Sequence, residues 1–117
     1  MADKFRLATE AQDAELKAYA RHFEHRGEED ESPRRAVLYV IATVSFPDSG
    51  WNLRIEPIEG TDQQEWVLLE DPPGFRDTDR SYLIACGSTE REVEAVPKTI
   101  VVKHHDQTTR VSVVPWD

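Results

Sequence analysis

Apolar positions recur along this chain at two different periods, and the change falls near residue 36. From Thr9 to about Arg26, Leu16, Tyr19, Ala20 and Phe23 are spaced three or four apart, which predicts an amphipathic helix with one stripe to bury. Thr9 with Gln12 three residues on has the form of a capping box. Glu10 and Asp13 place negative charge in the first turn, and Gly27 stands where a C-terminal cap belongs. Residues 27–35, GEEDESPRR, are acidic and aperiodic and predict an exposed, mobile connection.

After that connection every apolar run reads as strand. AVLYVIATVSF, residues 36–46, is β-branched and apolar on both parities, the pattern of a central strand covered on both faces. PDSG is a turn, and WNLRIEPIE alternates, with Trp51, Leu53 and Ile55 on one side and Asn52, Arg54 and Glu56 on the other. Pro57 cannot donate to a ladder, so this strand ends there or lies at an edge. EWVLLE is stopped by DPPG, SYLIACG is a further strand, and STEREVEAVP is an irregular crossing or another short strand. TIVVKH and TRVSVVPW then flank HDQT, read as a four-residue hairpin loop in which Asp106 bonds local backbone and Thr109 restarts the ladder. The expected fold is α+β and mainly β: one domain over residues 1–117, with five to seven mostly antiparallel strands in a sandwich or partly open barrel. The N-terminal helix, residues 9–26, packs on it, and the β region spans residues 36–116.

Composition narrows the partners. The 117 residues carry 14 basic and 23 acidic side chains, a formal charge of −9, which repels a phosphate backbone and makes nucleic acid an unsuitable partner. A single cysteine, Cys86, excludes an intrachain disulfide, and its place in YLIAC predicts a buried small hydrophobe. The first twenty residues hold charges in every short window and no apolar segment of signal-peptide type, and no run reaches membrane-spanning length. The expectation is therefore a cytoplasmic chain with no membrane contact.

Candidate chemistry is sparse. His104, His105 and Asp106 form the densest run of ligating side chains, but successive strand residues point to opposite faces, so only His104 and Asp106 share a side. His22 and His25 lie three apart on the expected helix, neighbours on one surface but without the glutamate of an HExxH site. These four residues are the candidate metal ligands. Glu70, Asp71, Asp77 and Asp79 bracket a loop that Arg76 and Arg80 neutralise, and no glycine-rich phosphate loop accompanies them. No nucleophile elbow and no cysteine–histidine signature is visible, so neither an enzyme nor a bound cofactor is expected. Trp51, Trp66 and Trp116 are candidate partner-binding positions, set against the plainer role of capping the ends of a β core.

FPDSGWNLRIEPIE followed by WVLLEDPPG, roughly residues 46–74, resembles the C-terminal domain of PrcB-type protease-complex accessory proteins through Gly50, Trp51, Leu53, Ile55, Pro73 and Gly74. The chain departs from that pattern in having Ser49 where the first glycine would stand, in the expected N-terminal helix and in the expectation of no export signal. The resemblance implies a β-rich accessory module. The functional expectation is a noncatalytic interaction or accessory protein that binds another protein. A metal- or small-ligand-binding protein with a site near His104 and Asp106 is the alternative, and an acidic inhibitor or immunity-type protein the third.

Overall fold

A computed structural model of the chain describes residues 4–23, 35–60, 64–75 and 79–116. Among them eight strands build one sheet: β1 Arg6–Leu7, β2 Gln12–His22, β3 Arg35–Phe46, β4 Asn52–Pro57, β5 Glu65–Asp71, β6 Ser81–Glu92, β7 Thr99–His104 and β8 Gln107–Pro115. A single 3-10 turn, Val93–Ala95, is the only helical element among the described residues.

The expected α+β fold with an amphipathic helix over residues 9–26 is thereby overturned. Residues 12–22 form a strand paired antiparallel with β3 from Gln12↔Ser45 to His22↔Ala36. A period of two was present beside the period of 3.6. Ala14, Leu16, Ala18 and Ala20 occupy alternate positions and turn inward, while Glu15, Lys17 and Arg21 are exposed on the other side. Alanine favours helices in isolation, but the ladder on β3 and the burial of that alternate row decide the outcome. Of the residues expected to cap that helix, Thr9 and Glu10 give their backbone N–H groups to Glu70, as described below, whereas the Gln12 side chain accepts from Arg80 and that of Asp13 from Ser45. Residues 24–34, which include most of the expected acidic connection and His25, lie outside the described residues.

The strand path is β1-β5-β7-β8-β2-β3-β6, with β4 on the other edge of β5. Pairing is antiparallel except for two short parallel ladders, β5 with β7 and β2 with β8. The sheet curls into a half-barrel whose concave side holds the core: Leu38, Val40, Ala42, Val44 and Phe46 of β3 meet Trp66 and Leu68 of β5 and Ile100 and Val102 of β7. Burial in β3 alternates, with Val37, Tyr39, Ile41 and Thr43 only half covered, so the expected coverage of both faces is complete on one face alone. Curling brings β6 close to β4. A Cβ built on Gly87 would sit 2.7 Å from the Ile55 carbonyl oxygen and 2.7 Å from Trp66 Cζ3, so this position admits only glycine at the observed approach. Beyond Gly87, β6 continues to Glu92 and takes in the first half of residues 88–97, the stretch expected as an irregular crossing or another short strand.

Candidate functional site

The histidine run is a tight hairpin. His104 pairs with Gln107, and the two residues between them, His105 and Asp106, have φ of 52° and 56°. Positive φ at both central positions is the requirement of a type I′ turn, which aspartate tolerates better than most residues. The loop is therefore two residues rather than four, and Gln107 already belongs to β8. This backbone bends the histidines toward each other instead of to opposite faces: their Nδ1 atoms are 2.6 Å apart, with ring planes at 89°.

Hydrogen-bond chemistry fixes the proton positions. The Ala11 carbonyl can only accept, so His105 Nε2, at 2.6 Å, carries a hydrogen and donates. In neutral His105 the Nδ1 atom then accepts from His104 Nδ1–H. His104 Nε2, 2.7 Å from Thr109 Oγ1, accepts the hydroxyl proton. All four ring nitrogens are thus engaged in one directed chain. Burial holds the His104 pKa below its usual value of 6.5, and the neighbouring His105 ring pushes it the same way. Charging both rings would set N–H against N–H across the 2.6 Å contact.

A second anchor lies beside this chain. Glu70 is fully buried, although it was expected in a surface acidic cluster; it sits on the same parity of β5 as Trp66 and Leu68. Its Oε1 accepts from the backbone N–H of Thr9, Glu10 and Ala11 at 3.0, 3.0 and 3.1 Å, and Arg6 pairs with Oε2 at 3.2 Å. Residues 8–11 are held from the hairpin as well, since the His105 N–H donates to the Ala8 carbonyl at 2.7 Å. Parity along EWVLLE was the available signal that Glu70 faces inward.

The candidate metal ligands do not converge. Among the described residues no three His, Cys, Asp or Glu side chains stand close enough to hold an ion. His22 ends β2 two residues beyond Ala20, which pairs with Pro115 at the far end of β8, so it lies about 33 Å from the hairpin by strand rise. Asp106 is exposed at the turn, and His25 lies outside the described residues.

The tryptophans separate into two groups. Trp51 and Trp66 are core residues, so neither forms a partner surface. Trp51 stacks on Phe46 with centroids 4.4 Å apart and donates Nε1–H to Asp48 Oδ1 at 2.6 Å. Trp116 is 46% exposed and leans on Tyr19 and Tyr39 at 5.1 and 5.4 Å. It belongs to the convex face of β8, β2, β3 and β6. Register places Val114 beside Tyr19, Tyr19 beside Tyr39, Ile41 beside Cys86, and Thr43 beside Ile84 on that face. Tyr82 and Ile84 are 72% and 71% exposed. Cys86 is exposed too, which corrects the expectation of a buried thiol. Ala85 points inward, so its neighbours on the strand point out.

Between β2 and β8 a cleft of about 510 Å³ opens where the two strands diverge, lined by Leu16, Lys17, Tyr19, His104, Thr109 and Arg110 among others. Set against known proteins, the chain matches no family model, no curated protein and no solved structure. No helix among the described residues is long and apolar enough to cross a membrane.

Proposed function

We propose that this chain is a noncatalytic interaction module that binds another protein through the convex face of β8, β2, β3 and β6. One observation supports it above the others: of the six large hydrophobic side chains left exposed among the described residues, Tyr82, Ile84, Val114 and Trp116 share this one face. Half-covered Tyr39 and Ile41 and the exposed Cys86 lie among them. A lone exposed hydrophobe needs no explanation, but a contiguous aromatic and aliphatic surface is costly in water unless something covers it. Tyrosine and tryptophan supply large contact area with few rotatable bonds, which suits them to the centre of an interface. The rim is mixed in charge, with Lys17, Arg21 and Glu15 on β2 and Glu90 on β6.

The resemblance of residues 46–74 to PrcB-type accessory proteins points to the same class of role. A metal site at the hairpin fits less well, because each ring nitrogen of His104 and His105 already has a hydrogen-bond partner. The test is quantitative co-purification from the source cells with wild-type protein and with the double variant Tyr82→Glu, Ile84→Glu. Both positions point into solvent, so the variant folds. The reading expects a protein retained at defined stoichiometry by the wild type and lost by the variant. Equal retention by both, or no protein retained by the wild type, refutes it.

A further inference from the structure

The cleft between β2 and β8 carries the reading above one step further, because it is a gap in the hydrogen-bond ladder of the same face. The β2–β8 ladder comprises three pairs, Ala18↔Val113, Tyr19↔Val114 and Ala20↔Pro115, while residues 12–17 and 107–112 have no pairing across the gap. Two hydrogen bonds fix which way the backbone of β8 points. Val113 N–H donates to the Lys98 carbonyl on the β7 side, and Trp116 N–H donates to the Ala20 carbonyl on the β2 side. Even-numbered residues of β8 therefore direct N–H and C=O toward β2. Thr108 and Arg110 do so where the ladder has not yet begun, and Leu16, of the same parity as Ala20, faces them from the other wall. Unpaired strand edges are templates for a further strand.

Charge selects what kind of strand. Lys17 and Arg110 line the cleft and no aspartate or glutamate does, in a chain with 23 acidic and 14 basic side chains. Arg110 has no ion-pair partner among the described residues, and Lys17 reaches only the exposed Glu15 at 3.7 Å. Tyr19 and Val114 belong both to the cleft and to the exposed convex face.

We propose that the cleft takes one extended acidic segment of the partner protein, pairing its main chain with β8 at Thr108 and Arg110 and setting a carboxylate between Arg110 and Lys17. The open stretch of β8, residues 107–112, spans about 20 Å at 3.3 Å per residue, enough for a segment of about five residues. The inference rests on the protein-binding reading and names the chemistry of the segment that occupies one end of its face. The long-range repulsion of the −9 chain makes an acidic ligand a demanding choice, which only the local cationic pair reverses.

The test titrates the wild-type chain with a capped pentapeptide of alternating valine and glutamate, read by amide chemical shifts and hydrogen exchange. The Thr108 and Arg110 amides should shift and gain protection. Affinity should fall about tenfold for Arg110→Gln, and again about tenfold for a peptide N-methylated at alternate nitrogens, the scale of one lost charge-assisted or main-chain contact set. The lysine counterpart of the peptide should not bind. Failure of the peptide while the double variant Tyr82→Glu, Ile84→Glu still loses partner capture sinks the cleft alone. Shifts confined to other strands, equal affinity for the lysine peptide, or no binding at all overturns the proposal. Equal binding of the N-methylated peptide overturns it as well, since the cleft would then be a pocket for a small anion.

Discussion

Replacing the buried carboxylate of Glu70 with an amide of the same shape should destabilise the whole sheet, and the structure allows the size to be worked out. Oε1 accepts three backbone N–H groups from residues 9–11, at 3.0–3.1 Å. In Glu70→Gln the amide oxygen keeps those three bonds but loses its charge. A charge-assisted bond contributes roughly 1.5–3 kcal/mol and a neutral one roughly 0.5–1.5, so each of the three weakens by about 1 kcal/mol, or about 3 kcal/mol together. The new NH2 group must face Arg6, donor against donor. Arg6 is half exposed although Glu70 is fully buried, so solvent screens the pair from one side and its loss adds about 1 kcal/mol. Arg6→Ala should accordingly cost no more than about 1 kcal/mol by itself. Against a domain stability of about 5–15 kcal/mol, the glutamine variant loses a large share. Urea unfolding measures the difference, and native-state hydrogen exchange localises it to the amides of Thr9, Glu10 and Ala11. A Glu70→Gln protein within about 0.5 kcal/mol of wild type, with unchanged exchange at those amides, refutes the anchor role.

Gly87→Ala should cost about 1–3 kcal/mol, since its Cβ meets the Ile55 carbonyl and the Trp66 ring and forces β6 away from β4; a melting temperature equal to wild type contradicts that closure. Stability should also fall in mild acid. His104 is held below its unfolded value of 6.5, so the unfolded chain takes up the proton first. The contribution is present above about pH 6.5 and is lost as pH drops toward the lowered native value. His104→Gln should flatten that slope in denaturation curves taken across pH, and an unchanged slope assigns it to other groups. Adding zinc should leave the melting temperature unchanged, because the ring nitrogens are occupied; an upward shift that vanishes when both histidines become glutamine restores the metal reading.

Most of the strands were legible from local pattern. Runs such as residues 36–46 and the alternation of Trp51, Leu53 and Ile55 carry their own signal for strand, and burial in β4 follows it, while β3 is covered fully on one face alone. The hairpin was legible in kind but not in length, because a two-residue turn needs positive φ at both His105 and Asp106, which histidine and aspartate visit more readily than most residues but without the strong signal of an Asn-Gly or Asp-Gly pair. The N-terminal strand is ambiguous in sequence because its apolar residues satisfy both periods, and only pairing with β3, between partners 14 to 33 residues apart, chooses between them. Glu70 and Cys86 were misplaced for a related reason. Composition assigned one to a surface and the other to a core, whereas strand parity, applied strictly, puts Glu70 with Trp66 and Cys86 with Tyr82 and Ile84. The cleft was not legible at all, because it arises from a parallel contact between strands near opposite ends of the chain.

Cys86 offers the most direct measurement of the proposed binding face, for it is a native reporter among Ile41, Ile84 and Tyr82. Its alkylation rate with a small thiol reagent should be fast and stoichiometric in the free native protein and strongly slowed in the complex with the co-purified partner. Alkylation as fast in the complex as in the free chain would place the partner elsewhere and contradict the account.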